Sequence, residues 1–153
     1  MSNDRTRRTT PAQILLVEDN PGDVRLTEEA LAEGRIENDL HVVTDGVEAL
    51  EFLERRGEHA DAPRPDLVLL DLNLPRKNGD EVLEVMNDDP DLQRIPVIVL
   101  TSSKAEEDVI SSYELCANAY LTKPVDPTEF IETIRAFEQF WLSIVRLPPE
   151  ERP

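Results

Sequence analysis

Five short apolar runs, each followed by a segment of helical spacing, constrain this chain more than any other feature. The runs lie at 14–18, 39–43, 66–70, 95–100 and 118–122. They are short and rich in Ile, Val and Leu, so they read as strands buried on both faces. The segments at 22–34, 46–56, 79–88, 104–115 and 126–146 repeat their apolar residues with the period of a helix. Such alternation predicts an α/β fold, a parallel sheet with helices on both faces. Local signals agree. Asn20-Pro21-Gly22 turns the chain out of the first strand, and Asp45-Gly46 ends the link to the second helix. Pro65 precedes the third strand, where its missing N–H leaves the ladder intact. Asp126-Pro127 followed by Glu129 reads as an N-cap with Pro at the first helical position. There is no internal repeat. One domain is expected at 12–146, between a disordered N-terminal tail at 1–11 and a flexible C-terminal tail at 147–153.

The chemistry sits where the runs end. Glu18 and Asp19 close Ile14-Leu15-Leu16-Val17, and Asp71 closes Leu67-Val68-Leu69-Leu70. Thr101 follows Val97-Ile98-Val99-Leu100, and Lys123 follows Ala119-Tyr120-Leu121-Thr122. In an open parallel sheet the carboxyl ends of the strands line one edge, where ligands bind. With the first and third strands as neighbours, Glu18, Asp19 and Asp71 surround one crevice. Close carboxylates repel, and a hard cation relieves the repulsion. Mg²⁺ suits them, because it takes one or two carboxylates, keeps waters and coordinates phosphate. A lone acidic pair would read as a turn cap; carboxylates, a hydroxyl and an ammonium together point to a divalent cation and a phosphoryl group.

Charge narrows the partners. Against 33 acidic residues there are 16 basic ones, a net charge of -17, and Lys77, Lys104 and Lys123 are the only lysines. Self-repulsion of that size favours solubility and opposes compaction. Salt screens it, since the Debye length falls to about 3 Å at 1 M, so the composition suggests a halophilic host. A nucleic-acid surface is not expected, because phosphate binding needs clustered Lys and Arg. The basic cluster Arg5, Arg7 and Arg8 reads as part of a solvated tail. No apolar stretch approaches the roughly 20 residues of a membrane span, and no signal peptide is evident. The single Cys116 excludes an internal disulfide and fits a reducing, cytoplasmic setting.

The last helical segment is broader than a sheet-packing helix requires. Phe130, Ile131, Ile134, Phe137, Phe140, Trp141, Ile144 and Val145 cover an arc of about 200° at the period of a helix. A homodimer or protein-partner surface is expected on helix 126–146.

Four segments carry a family resemblance. Ile14-Leu-Leu-Val-Glu-Asp-Asn-Pro-Gly-Asp23, Asp66-Leu-Val-Leu-Leu-Asp-Leu-Asn-Leu-Pro75 with Gly79, Ile95-Pro-Val-Ile-Val-Leu-Thr-Ser-Ser103 and Tyr120-Leu-Thr-Lys-Pro124 resemble the receiver domain of two-component response regulators. Small stand-alone regulators that partner cyanobacterial phytochromes are one similar group. The resemblance implies a flavodoxin-like, doubly wound five-stranded parallel sheet of order 2-1-3-4-5 with five helices. It implies Asp71 as phospho-acceptor, and Glu18, Asp19, Asp71 and the Asn73 backbone carbonyl as Mg²⁺ ligands. Thr101 and Lys123 contact the phosphoryl group in this scheme, and Thr101 and Tyr120 form the switch. A sensor histidine kinase is the implied donor, with a phytochrome-like one as a candidate. Output is expected through the surface of segment 104–115, the fifth strand and helix 126–146. Such a protein is not an enzyme acting on other substrates; it catalyses only its own aspartyl phosphorylation and dephosphorylation.

Other readings fit less well. Haloacid-dehalogenase-type phosphatases place the aspartyl nucleophile after the first strand, where this chain has Glu18-Asp19-Asn20. A flavodoxin-like cofactor site needs a first loop that cradles phosphate, which Glu18 and Asp19 would repel. A pseudo-receiver that is never phosphorylated is the harder alternative to exclude, although none of the five positions is missing. His41 and His59 have no metal-ligand companion in the pattern, Asp66 reads as a turn end, and Asp23 as either a cap or a support for the metal site.

Overall fold

Alternation along each strand sorts the core into two layers. The structure, a computed structural model, describes residues 11–33, 37–72, 74, 76, 79–101, 117–122, 128–133, 135, 136 and 139. Its strands are β1 (Ala12–Val17), β2 (Asn38–Val43), β3 (Leu67–Asp71), β4 (Val97–Thr101) and β5 (Ala117–Thr122). They form one sheet of order β2-β1-β3-β4-β5, every neighbouring pair parallel. Helices α1 (Pro21–Ala32), α2 (Gly46–Glu54) and α3 (Gly79–Asp88) alternate with the strands. Short 3-10 turns stand at Gly57–His59 and Leu92–Arg94.

Leu15, Val17, Val68, Leu70, Val97 and Val99 point to one face, where they pack with Leu50, Leu53, Val82, Leu83 and Met86 of α2 and α3. Ile14, Leu16, Leu67, Leu69, Ile98 and Leu100 point to the other, with Ala30 and Leu31 of α1 and with Phe130. Because side chains alternate faces with period two, each central strand feeds both layers, so its sequence is apolar throughout. The sheet is doubly wound, as expected.

The structure adjusts several sequence-based expectations. The run 39–43 was expected to be buried on both faces, but β2 is an edge strand, and its Asp39 and Val42 are exposed. An edge strand has a ladder partner on one side only, and the exposed Asp39 and Val42 lie on its two opposite faces. β1 begins earlier than expected because Ala12 pairs with Asn38 and its N–H donates to Glu37 O at 2.9 Å. It ends at Val17, so Glu18 lies just beyond the strand rather than in it. The expected tails, the segment 104–115 and the Asp126-Pro127 cap lie outside the described residues, as does much of 126–146, of which 128–133, 135, 136 and 139 are helical.

Candidate metal and phospho-acceptor site

Parallel register brings the acidic residues together. Val17 pairs with Leu70 across β1 and β3, so the chain leaves both strands at the same edge with Glu18 and Asp71 one step further on. Backbone bonds hold that edge: Glu18 N–H donates to Val43 O at 3.0 Å, and Leu72 N–H to Leu100 O at 3.1 Å. One carboxylate oxygen from each of Glu18, Asp19 and Asp71 lies within 4.8 Å of the others. Glu18 is 0% and Asp71 2% exposed, whereas Asp19 reaches solvent.

Buried carboxylates this close are costly in low dielectric unless positive charge offsets them. The donors are all hard oxygens, the set that suits Mg²⁺, Ca²⁺ or Mn²⁺ rather than Zn²⁺ or Cu²⁺. Two oxygens on one Mg²⁺ stand at most about 4.2 Å apart, so the observed spacing closes on a cation with small side-chain movement. By its chemistry and spacing, the pocket fits a divalent ion.

The turns around the pocket are tied down. Asn20 caps α1, its Oδ1 accepting from Gly22 N–H at 2.8 Å and Asp23 N–H at 3.1 Å, with Pro21 at the first helical position. Asp23 therefore sits in the first turn of α1 without being its N-cap. An open cleft of about 570 Å³ runs past Glu18 and Asp19 between α1 residues Pro21, Val24, Arg25 and Glu28 and Thr44 after β2. On the α2 side, Asp45 Oδ1 accepts from Glu48 N–H at 2.7 Å and from Arg76 Nη2 at 3.1 Å. Burial pushes the Asp45 carboxyl up, but the bonds from Glu48 and Arg76 outweigh it and hold it below the usual range. One carboxylate thus caps α2 and tethers the loop that follows Asp71. Arg76 holds that contact with a left-handed φ of 65°, a conformation non-glycine residues adopt at some cost.

The remaining predicted residues are placed in part. Thr101 ends β4, one step past Leu100, the partner of Asp71, and is itself paired with Thr122. Tyr120 pairs with Val99 in β5. Only the backbones of Thr101 and Tyr120 are described, and Asn73 and Lys123 lie outside the described residues. The histidines are engaged elsewhere: His41 Nε2 meets Gln13 Oε1 at 2.8 Å, and His59 Nε2 meets Glu48 Oε2 at 3.2 Å. Asp66 stands just before β3, its Oδ2 accepting from Gln13 N–H at 2.7 Å. Burial raises its carboxyl above the ordinary range, against the Gln13 hydrogen bond and the charge of Arg64. Two residues named in the sequence for other reasons also support the site. Asn20 N–H donates to Glu18 Oε2 at 3.2 Å, and an Asn-Pro pair at a helix start was the available signal. Gly79, named with the block 66–75, opens α3 against the backbone of Asp71 and Leu72, a close approach that a side chain would obstruct.

A doubly wound sheet with a three-carboxylate pocket at the carboxyl edge of β1 and β3 defines a class, the metal-binding receiver switch. The chain belongs to the response regulator receiver domain family, whose profile matches residues 14–135. Response regulator Rcp1 of Synechocystis sp. is 49% identical over 138 residues, covering 90% of this chain and 94% of Rcp1. The Mn²⁺-bound crystal structure of Rcp1 superposes with a TM-score of 0.75, covering 90% of this chain and 99% of that one. The phosphorylated cyanobacterial phytochrome response regulator RcpA is 47% identical, also with a TM-score of 0.75, and covers 91% of this chain and 99% of its own. This chain is therefore a receiver-type, two-component signalling protein with an acidic pocket for a divalent metal. Among the described residues no helix is long and apolar enough to cross a membrane.

Proposed function

We propose that this protein is a phosphorylation switch in which Asp71 accepts a phosphoryl group, with Mg²⁺ held by Glu18, Asp19, Asp71 and the Asn73 carbonyl. The convergence of three carboxylates, two of them buried, carries this reading. A carboxylate oxygen of Asp71 bonds to phosphorus as the P–N bond of a phosphohistidine donor breaks; the imidazole nitrogen keeps the electron pair and takes a proton. Such transfer is mainly positioning and charge stabilisation, and burial strengthens every charge interaction in the pocket. A bound Mg²⁺ supplies positive charge against the phosphoryl oxygens. Lys123 pairs with those oxygens and the Thr101 hydroxyl donates to one of them, leaving space that Tyr120 fills. Water later cleaves the acyl phosphate, returning the carboxylate and inorganic phosphate.

The donor is a sensor histidine kinase. The likeness to RcpA, a cyanobacterial phytochrome response regulator, supports a phytochrome-like one. Output runs through the surface of segment 104–115, β5 and helix 126–146, with self-association through the apolar arc of that last helix. The test is intact mass after incubation with Mg²⁺ and acetyl phosphate in concentrated KCl, beside Asp71→Asn, with size-exclusion elution of each. One phosphoryl adduct, absent in EDTA and in the variant, is the expected result. No adduct in folded wild-type protein overturns the reading, and unchanged elution on phosphorylation removes the assembly part alone.

A further inference from the structure

Glu18 reaches the pocket on a longer arm than Asp19 or Asp71, with one more rotatable bond to fix. Its Oε2 accepts a hydrogen bond from the backbone N–H of Asn20 at 3.2 Å. That amide is itself fixed, because Asn20 is bound at several points. Its Oδ1 accepts from Gly22 N–H at 2.8 Å and Asp23 N–H at 3.1 Å, and its carbonyl accepts from Val24 N–H at 3.0 Å. Its φ of -92° and ψ of 115° are the extended backbone of an N-cap. Gly22 keeps the turn open, since a Cβ there would stand 3.2 Å from Asn20 Oδ1.

We propose that Asn20 is a positioning residue for metal binding: its side chain caps α1 and thereby fixes the backbone N–H that orients the Glu18 carboxylate. The inference rests on the metal-site reading above. Asn20 touches neither the ion nor the phosphoryl group in this scheme; it acts through Glu18. The first turn of α1 and the metal pocket are then one unit, so a loosened cap appears as weaker metal affinity before it appears as lost stability. The rate of Asp71 labelling at saturating metal is untouched, because the missing element is the orientation of one ligand rather than the nucleophile.

Two variants separate positioning from simple support of the helix. Glycine is a tolerable N-cap, costing far less stability than alanine, so Asn20→Gly keeps the fold while releasing the amide. Serine replaces the side-chain acceptor, so Asn20→Ser restores the turn. Each full-length variant is titrated with Mg²⁺ by calorimetry and labelled with acetyl phosphate across Mg²⁺ concentrations. Asn20→Gly is expected to weaken Mg²⁺ binding about three- to tenfold, the scale of one hydrogen bond, with a near-native Tm. Labelling should regain the wild-type rate at saturating Mg²⁺, and Asn20→Ser should bind within about twofold of wild type. Asn20→Gly binding Mg²⁺ like wild type overturns the inference and leaves the metal-site reading intact. So does Asn20→Ser binding as weakly as Asn20→Gly. Wild-type protein that binds no Mg²⁺ overturns both.

Discussion

Replacing Gly79 with alanine tests how tightly α3 is set against the phospho-acceptor strand. A Cβ at this position would stand 2.5 Å from the Asp71 carbonyl oxygen and 2.6 Å from Leu72 Cα, where carbon ordinarily keeps about 3.5–4.0 Å from its neighbours. A shift of about 1 Å is therefore forced on α3 or on the peptide joining Asp71 and Leu72. Neither yields easily: Leu72, Val82 and Leu83 are buried, and Gly79 N–H is bonded to Leu72 O at 3.0 Å. Overpacking of this kind costs about 1–3 kcal/mol, while the better helix propensity of alanine returns about 1 kcal/mol. The expected net loss is about 0–2 kcal/mol, a Tm lower by up to roughly 8 °C at this chain length. Because the shift falls on the backbone carrying Asp71, labelling by acetyl phosphate should slow by about 100-fold, the scale of a 1 Å misplacement. Urea unfolding followed by circular dichroism, and mass-resolved labelling, read the two effects. A Gly79→Ala variant as stable as wild type and labelled at the wild-type rate refutes the steric argument.

Removing charge from the pocket should act in the opposite direction when metal is absent. In EDTA, Asp71→Asn is expected to raise stability by on the order of 1 kcal/mol through relief of carboxylate repulsion, and to shrink the Tm increase that Mg²⁺ gives wild type; a lower Tm in EDTA contradicts it. Asp66 has a raised carboxyl pKa in the folded state, so its charged form destabilises the fold increasingly as pH rises from its unfolded value of about 3.9 through the folded one. Asp66→Asn, whose side-chain oxygen still accepts from Gln13 N–H, should therefore raise Tm near neutral pH and lose that advantage below about pH 4; a gain independent of pH counts against burial as the cause. With a net charge of -17, the Tm should rise steadily with KCl between about 0.1 and 1 M as the Debye length shortens, and a flat profile excludes self-repulsion as a limit on stability. Asp45→Ala should cost about 1 kcal/mol and Asp45→Asn less, because asparagine keeps the cap of α2 and loses only an exposed ion pair with Arg76; equal losses in urea unfolding reverse that assignment.

Local pattern carried the architecture far. Consecutive apolar residues in 14–17, 67–70 and 97–100 mark strands covered on both faces, and the residues ending those runs lie at the sheet edge where the acidic pocket forms. The second strand shows the limit of that reasoning. Leu40, Val42 and Val43 look like the residues of a central strand, but the sheet order puts β2 at the edge of the described sheet. The pocket was legible as a set of residue types; its supports were less so. Asn20 was read as part of a turn, and its hydrogen bond to Glu18 depends on where the chain goes after β1.

Near-neighbour effects along the chain set the alternation of strands and helices, the turn chemistry of Asn20-Pro21 and Asp45, and a carboxylate at the end of each of two strands. Tertiary structure decided which strands lie side by side and in what register. That decision placed Glu18 and Asp19 within 4.8 Å of Asp71 and set Gly79 against the Asp71 backbone. The physical reason is range. Propensity and capping act over a few residues, whereas parallel pairing of β1 with β3 is a non-local choice made by burying both faces of the sheet at once.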